Sequence, residues 1–328
     1  MRYLFKFAIT ILLFFTMIPF VWSAPPSYLF TANDYLYEAW FKVETINLSG
    51  AGTAQCAVLG RDYTDGRLSV QLLSWEKAKL TSWWESPNLL AEGPVMMTTG
   101  RPFSTGEPML IILSQDHLYL YRHENENIIL SSQFKHTLFP HELSAADLDG
   151  DGRDELIIVR IGQRMPSYDD KVVEVYRLTG EGLEKMGSSP YLGNIRCLTA
   201  GDLDGDGLAE VVTEAGLSTR PGVFTLLRWD PDRQELVSRI QTEKLLSTLP
   251  FGMTVAPGAE GSPLLYTADG WGRLNRFVLE EGKLSPVTEH FSFPNGLVGV
   301  TTGDLNGDGH NEVIVVGHPN NLYIVSLI

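Results

Sequence analysis

The chain has 328 residues and a formal net charge of −15, with 44% hydrophobic and 20% charged residues. This composition is typical of a soluble globular chain with a large core, and it argues against a disordered chain or a multi-span membrane protein. The acidic balance disfavours nucleic acid as a partner. The length would allow two average domains, but large all-β domains also use this many residues.

The first residues have the layout of a secretory signal peptide. Arg2 and Lys6 precede an uncharged apolar stretch, Phe7 to Trp22, and small residues follow it. We therefore predict that residues 1–23 are a signal peptide and that residues 24–328 form one domain. An uncleaved N-terminal anchor is the alternative, although the stretch is shorter than the roughly 20 residues that a spanning helix prefers. Either way, the remainder is expected outside the cytoplasm, secreted or at the cell surface.

Internal repeats dominate the rest of the sequence. Three segments superpose directly: HELSAADLDGDGRDELIIV from His141, RCLTAGDLDGDGLAEVVTE from Arg196, and VGVTTGDLNGDGHNEVIVV from Val298. Their first aspartates, Asp147, Asp202 and Asp304, are 55 and 102 residues apart. Because 102 residues is close to two steps of 51, another repeat is expected near residue 255.

Three further repeats have lost the aspartates. MTVAPGAEGSPLLYTADG from Met253 keeps the two apolar strands and the Gly-containing turn, VMMTTGRPFSTGEPMLIIL from Val95 aligns without a gap on the segment from Val298, and INLSGAGTAQCAVLG from Ile46 is a shorter version. The sequence therefore contains six repeats of about fifty residues.

Each repeat continues with two more alternating strands around a tight polar turn, as in VEVYRLTGEGLEKM and FTLLRWDPDRQELV. Such period-two alternation bounded by Gly, Asp, Asn and Pro predicts hairpins, and no amphipathic helix of ten or more residues is apparent. We predict an all-β fold, a β-propeller of six four-stranded blades. Seven blades are the alternative if Tyr28–Asn47 contains more structure.

The last repeat ends at LYIVSLI after only three strands. An unpaired sheet edge there would promote aggregation. We expect the segment from Tyr28 to Tyr37 to supply the missing strand, while the strand from Trp40 begins blade one. The N- and C-terminal strands would then share one blade and close the ring.

The motif D-x-[DN]-G-D-G-x-x-E, present in three repeats, has the spacing of a calcium loop. Calcium binds six to eight oxygens at about 2.3–2.6 Å, and glycines at positions four and six let side chains one, three, five and nine converge. The predicted ligands are Asp147, Asp149, Asp151, Arg153 and Glu155; Asp202, Asp204, Asp206, Leu208 and Glu210; and Asp304, Asn306, Asp308, His310 and Glu312. Arg153, Leu208 and His310, at position seven, would bind through backbone carbonyls, and about three calcium ions are expected.

Two other interpretations of this motif are disfavoured. EF-hand and dockerin loops need an acidic ligand at position twelve, where this chain has Ile158, Thr213 and Val315. Asp, Asn and Gly also form ordinary turns without metal, but three copies in register at blade spacing favour a metal site.

The segments GDLDGDGLAEVV and GDLNGDGHNEVIVVG resemble FG-GAP/VCBS repeats and the calcium-loop blades of integrin α heads. The resemblance covers essentially the whole chain after the predicted signal. It implies a propeller with calcium between the first two strands of certain blades, used for adhesion, recognition or as a rigid module of surface proteins. Position nine is Glu where the family commonly has Asp, the FG and GAP signatures are blurred, and nothing marks an integrin-like ligand site.

We therefore expect an exported, calcium-binding, non-enzymatic module that binds a protein or carbohydrate outside the cytoplasm, with membrane contact only through an uncleaved N-terminal segment. One alternative is a propeller enzyme of lyase or dehydrogenase type acting on an extracellular substrate such as a polysaccharide. A cell-envelope assembly scaffold is the other. No histidine pair has metal-ligand spacing and no G-x-S-x-G elbow is present, so no catalytic residue or organic cofactor is predicted.

The cysteines and tryptophans complete the expectations. Cys56 and Cys197 lie in apolar strand-like segments of different repeats and are expected to be buried free thiols rather than a disulfide. Trp83, Trp84 and Trp271 are candidates for a carbohydrate-recognition face, but packing between blades is favoured for each.

Overall fold

The computed structural model is an all-β molecule. It describes residues 28–32, 39–48, 52–61, 66–76, 79–89, 95–125, 127–161, 171–215, 222–258, 261–287, 291–318 and 321–326. Among these residues, no helix is long and apolar enough to cross a membrane. The predicted signal peptide, residues 1–23, lies outside the described residues.

Twenty-five strands in the described ranges form six antiparallel blades, two of which are linked into one sheet by a single parallel pairing of Ser188 with Glu235. The first strand, β1 (Tyr28–Ala32), belongs to the last blade. Blade one contains β2 (Ala39–Ile46), β3 (Gln55–Arg61), β4 (Leu68–Glu76) and β5 (Lys79–Glu85). Blade two contains β6 (Met96–Gly100), β7 (Met109–Leu113), β8 (His117–Glu124) and β9 (Asn127–Lys135). Blade three contains β10 (Pro140–Ala146), β11 (Glu155–Ile161), β12 (Lys171–Thr179) and β13 (Gly182–Ser188).

The second half of the chain repeats this pattern. Blade four contains β14 (Ile195–Gly201), β15 (Glu210–Ala215), β16 (Phe224–Asp230) and β17 (Glu235–Gln241). Blade five contains β18 (Pro250–Pro257), β19 (Pro263–Asp269), β20 (Arg273–Glu280) and β21 (Lys283–Pro286), and the short β22 (Phe291–Ser292) also pairs with β20. Blade six contains β23 (Leu297–Gly303), β24 (Glu312–Gly317), β25 (Asn321–Ser326) and β1.

The ring closes through both ends of the chain. The first strands β2, β6, β10, β14, β18 and β23 contact one another in a complete circle around the central channel. Strand β1 pairs antiparallel with β25, so that Thr31 lies opposite Tyr323. The predictions of six blades and of closure by the N-terminal strand are therefore confirmed.

Each blade buries both of its faces against its neighbours. Strand β7, with the sequence MLIIL, is buried at every position. Leu110 and Ile112 pack towards blade one, whereas Ile111 and Leu113 pack towards blade three. Because successive side chains of a strand point to opposite faces, a strand between two neighbours has to be apolar throughout. The continuous apolar runs in the repeats therefore mark the middle strands of the blades.

The burial of the cysteine and tryptophan side chains depends on where they lie in the blades. Cys56 and Cys197 are free and buried, as predicted. Trp84 packs at the interface of blades one and two, with its ring centroid 5.3 Å from that of Tyr121. The packing prediction is wrong for Trp271, which is 75% exposed, because it lies in the turn between β19 and β20. It is also wrong for Trp83, which is 38% exposed, because Trp83 is the extra residue of a β-bulge on the outer strand β5: Leu72 pairs with Trp84 and Leu73 with Ser82.

The first strands approach so closely that some of their positions require glycine. A Cβ atom at Gly252 of β18 would lie 2.7 Å from the Cα atom of Gly299 of β23. Real Cβ atoms do not come this close to a backbone atom, so the two strands would have to separate. The glycines therefore help to set the diameter of the ring.

We expect Gly252→Ala to lower the free energy of unfolding by about 1–3 kcal/mol through overpacking against the backbone of β23. Gly180→Ala, in the turn between β12 and β13, is the matched control because nothing lies within 4 Å of the added methyl group. Urea denaturation of both variants measures the difference. Equal stabilities would show that the close approach of β18 and β23 is incorrect.

Candidate metal centres

The three acidic motifs form the loops between the first and second strands of blades three, four and six. Loop one joins β10 to β11, loop two joins β14 to β15, and loop three joins β23 to β24. Because equivalent connections of a propeller lie at the same end of the blades, all three loops occupy one face of the molecule. This location agrees with the one that the repeat resemblance implied.

The aspartate at position one organises each loop through its backbone. In loop two, Asp202 Oδ1 accepts a hydrogen bond from the N–H of Gly205 at 2.7 Å, and Asp202 Oδ2 accepts one from Gly207 at 2.9 Å. Asp147 and Asp304 bind the corresponding glycines in the same way. Gly205 and Gly207 have φ angles of +78° and +92°, which glycine adopts without steric cost. The motif's glycines are therefore required by the curl of the loop.

The glutamate at position nine holds the other end of each loop. Its Oε2 atom accepts the backbone N–H of the buried leucine at position two. The pairs are Leu148 with Glu155 (3.0 Å), Leu203 with Glu210 (3.0 Å) and Leu305 with Glu312 (2.9 Å). All three glutamates are buried at the start of a second strand. One carboxylate oxygen is thus used by the loop backbone, while Oε1 contacts the side chains of the loop and its neighbours.

Blade one contains an uncharged version of the same loop, which the sequence analysis did not align position by position. Gln55 Oε1 accepts the N–H of Leu48 at 3.0 Å, so Gln55 takes the place of the position-nine glutamate. The signal was present in the spacing of N-L-S-G-A-G-T-A-Q from Asn47. The hydrogen bond between positions two and nine therefore does not require a carboxylate at position nine.

Neighbouring loops are joined by a recurring backbone hydrogen bond. The N–H at position eight donates to the carbonyl at position one of the preceding blade. The pairs are Ala54 with Asp304 (2.7 Å), Asp154 with Arg101 (3.0 Å) and Ala209 with Asp147 (3.1 Å). These bonds connect blade six to one, two to three, and three to four. Loops one and two are thereby in direct contact.

Carboxylates converge in two of the loops. Ligand oxygens of Asp147, Asp149 and Glu155 lie within 4.8 Å of one another in loop one. The same holds for Asp202, Asp204 and Asp206 in loop two. An all-oxygen, multiply charged donor set fits a hard divalent cation such as calcium.

Asp151 in loop one and the predicted ligands of loop three do not join a cluster of three carboxylates. In loop one, Asp151 is turned towards Arg153 and Arg177. In loop three, Asn306 Nδ2 donates to Asp308 Oδ2 at 3.0 Å and to Glu312 Oε1 at 2.8 Å. No three carboxylates gather within 4.8 Å in residues 304–312.

At position seven, the N–H groups of Arg153, Leu208 and His310 donate to the aspartate side chains at position five. The N–H to Oδ1 distances are 2.9, 3.0 and 2.8 Å respectively. The carbonyl groups of these three residues stay predicted ligands.

Arginines from the adjoining strands reach into loops one and two. Arg177 of β12 donates from Nη2 to Asp149 Oδ2 at 2.6 Å and to Glu155 Oε1 at 3.0 Å. In blade four, Arg228 of β16 binds Asp206. Arg239 of β17 also contacts this loop, with Nη1 2.6 Å from Asp204 Oδ2 and 3.4 Å from Glu210 Oε1. The guanidinium groups offset part of the negative charge of the two clusters.

Loop three has a different neighbour, because Ser326 of β25 lies opposite Glu312. The sequence analysis missed the arginines, since their distance in sequence from the loops hides the contact. Their signal was the recurrence of Arg177 and Arg228 in the third strands VEVYR and TLLR of the two blades.

The loop carboxyl groups differ in their electrostatic environment. Burial raises the pKa of Glu155 to about 7 and also raises the pKa values of Glu210 and Glu312. The hydrogen bond from Arg153 lowers the pKa of the exposed Asp151, and that from Arg228 lowers the pKa of Asp206. Each loop therefore combines a buried glutamate that resists ionisation with exposed aspartates.

The comparisons with known proteins agree with this architecture. Residues 147–213, which contain loops one and two, match the FG-GAP-like repeat family. The chain is a β-propeller that contains FG-GAP-like repeats. The propeller is similar to a chain of the crystal structure "BBS1N in complex with ARL6DN, soaked with lead", with a TM-score of 0.56 and 14% identity over 93% of this chain and 98% of that chain.

This structural similarity extends to the fold alone. In total, 730 chains of solved structures match this propeller, whereas no curated protein matches its sequence. A fold that so many chains share does not specify a function. The function must therefore be argued from the residues of the loops and surfaces.

We expect Asp202→Ala, measured in a chelator, to lower the free energy of unfolding by about 1–2 kcal/mol, because the N–H groups of Gly205 and Gly207 lose a charged acceptor. Asp202→Asn should cost less because it keeps one acceptor oxygen. Asp232→Ala, in the exposed turn between β16 and β17, is the control. Denaturant unfolding distinguishes these variants, and equal losses in Asp202→Ala and the control would contradict the loop role of Asp202.

Proposed function

We propose that this protein is an exported, calcium-binding propeller that acts as a non-enzymatic binding or scaffold module. The observation that supports this most is the convergence of three carboxylates within 4.8 Å in each of two loops on one face. Loop three shares their backbone hydrogen bonds, and we propose it as a third site. FG-GAP repeats are typical of extracellular proteins, which supports export, as do the features of residues 1–23.

The physical role that we assign to calcium is to fix the loops. Carboxylates this close repel one another, and a divalent cation offsets that repulsion. Calcium sites of extracellular modules have dissociation constants of about 10⁻⁴–10⁻³ M, which suits a compartment where calcium is abundant. A cation that binds only the folded state stabilises it by linkage. The ordered face would then be available to a protein or carbohydrate partner.

Calcium removal tests the proposal directly. We expect a chelator to lower the Tm of the purified protein and added calcium to restore it, because calcium at ten times its dissociation constant contributes about 1.4 kcal/mol per site. Asp204→Ala should reduce this calcium-dependent shift, whereas Asp232→Ala should keep it. Differential scanning calorimetry with and without chelator measures the effect. An unchanged melting curve in the wild-type protein would remove the basis for the calcium sites.

The arginines provide a second test of the same sites. Arg177→Gln removes a positive charge that contacts Asp149 and Glu155, so we expect tighter calcium binding and a larger drop in Tm on chelation. Arg122→Gln is a matched control, because Arg122 occupies the equivalent position of blade two beside a loop without aspartates. Isothermal titration calorimetry with calcium measures both variants. Weaker binding by Arg177→Gln than by the control would contradict a cation site in loop one.

We also propose that the module binds a protein or carbohydrate partner and that it has no catalytic activity. A glycan array and a pull-down, each with and without calcium, distinguish a recognition module from a scaffold. A specific glycan would support a recognition module, and a co-purifying envelope protein would support a scaffold. Turnover of a polysaccharide would instead support the enzymatic alternative.

A further inference from the structure

Loops one and two lie in adjacent blades and are joined by a single peptide group, the one between Leu208 and Ala209. Its carbonyl oxygen is the predicted position-seven ligand of loop two. Its N–H, which belongs to Ala209, donates to the carbonyl oxygen of Asp147 in loop one at 3.1 Å. Because a peptide group is planar, its N–H and its carbonyl turn together. The orientation of a predicted ligand of loop two is therefore tied to the backbone of loop one.

A side-chain contact accompanies this hydrogen bond. A Cβ atom at Gly150, position four of loop one, would lie 3.0 Å from Leu208 Cδ2, so the Leu208 side chain covers the backbone of loop one. The same arrangement recurs between blades six and one, where a Cβ atom at Gly307 would lie 2.9 Å from Thr53 Cγ2. Thr53 is at position seven of the blade-one loop, as Leu208 is in loop two. At both junctions, position seven contacts the preceding loop.

Blades three and four are also joined in the core and at the outer edge. Leu148 of loop one and Ala209 of loop two are buried in the same core cluster. At the outer edge, Ser188 of β13 pairs with Glu235 of β17, which makes one eight-stranded sheet of the two blades. No other two blades share a sheet in the described ranges. The two carboxylate clusters therefore lie on one continuous sheet.

Loop three has a different neighbour across the same backbone hydrogen bond. It meets the loop of blade one, in which Ala54 donates to the carbonyl oxygen of Asp304 at 2.7 Å. The sequence of that loop contains no Asp or Glu from Asn47 to Gln55. Blade five, which has lost the aspartates, separates loop three from loop two. Loop three therefore serves as an internal reference for the other two loops.

We propose that loops one and two bind calcium with positive cooperativity, whereas loop three binds it independently. This inference rests on the calcium function proposed above. When loop one is ordered by its cation, the Asp147 carbonyl holds the peptide group between Leu208 and Ala209 in one orientation. Part of loop two is then already ordered, so its own cation binds with a smaller loss of conformational entropy.

Repulsion between two bound cations acts against this coupling. Salt screens exposed charges over about 8 Å at physiological ionic strength, and Asp206 of loop two is exposed. The hydrogen bond to Asp147 and the contact of Leu208 with Gly150 act between touching atoms and are not screened in this way. We therefore expect positive coupling at physiological salt, with each loop raising the calcium affinity of the other by at least about fivefold.

Calcium titration of the full-length chain, followed by NMR, measures the three loops separately. The amide groups of Gly152, Gly207 and Gly309, at position six, each donate to the position-one aspartate of their own loop. Their chemical shifts therefore report calcium binding in loops one, two and three respectively.

Disabling one loop tests its effect on the other. Asp149→Ala removes a predicted ligand of loop one but keeps Asp147. We expect this variant to weaken calcium binding in loop two at least about fivefold and to leave the affinity of loop three unchanged. Asp204→Ala, in loop two, should weaken binding in loop one by the same factor, because coupling between two sites is reciprocal.

Ala209→Pro tests the hydrogen bond itself, because proline has no N–H and every carboxylate is kept. Blade two already has proline at position eight, Pro108. In the Ala209→Pro protein, the effect of Asp149→Ala on loop two should fall from at least about fivefold to about twofold or less. Ala54→Pro is the matched control, because it removes the equivalent bond between blades six and one and should leave the full effect.

Leu208→Ala provides a second variant in case Ala209→Pro fails to fold. It keeps the carbonyl of residue 208 but loses the contact with Gly150, so it should also reduce the effect of Asp149→Ala on loop two. Unchanged or tighter binding in loop two of the Asp149→Ala protein, or an equal loss in loop three, would overturn the cooperativity while leaving the calcium function in place. No calcium response in any loop would instead remove the calcium function, and the cooperativity with it.

Discussion

The structure depends on one constraint, which is that every blade has two apolar faces. Residues of strand β7 such as Leu110 and Ile111 point to opposite sides and enter different core clusters. A blade with such a middle strand cannot be stable at the end of a row, because one face would be exposed to water. Each of the six clusters of buried residues lies between two neighbouring blades, and six blades have six such interfaces only when they are arranged in a closed ring. The pairing of β1 with β25 therefore completes the sixth blade and the whole core.

Closure of the ring also determines where chemistry can occur. It directs all first-to-second-strand loops to one face and the starts of the first strands to the other. On the loop face, Asp202 binds the backbone of loop two and also belongs to its carboxylate cluster, so folding of the loop brings that cluster together. On the other face, residues from blades three, four and five meet around the channel mouth.

The sequence alone predicts the features that repeat. The spacing of Asp147, Asp202 and Asp304 defined the blades, and the missing last strand indicated closure by the N-terminal segment. The sequence alone could not predict side-chain contacts between strands that do not recur from one repeat to the next. Arg239 reaches Asp204 from 35 residues away, and Lys171 meets His141 because β10 and β12 begin at the same end of blade three, on either side of β11. The exposure of Trp271 depends on a turn whose direction the strand pattern does not encode. Such contacts depend on how neighbouring strands twist, which no short motif records.

The hydrogen bonds between neighbouring loops have a mechanical consequence. The N–H at position eight joins blade one to six, blade three to two and blade four to three. In blade two, position eight is Pro108, which has no N–H to donate. The junction of blades one and two therefore lacks this backbone link and relies on side-chain packing, including Trp84 against Tyr121. This junction, between two of the three blades whose loops have lost the aspartates, therefore has no backbone bond of this kind to resist strain.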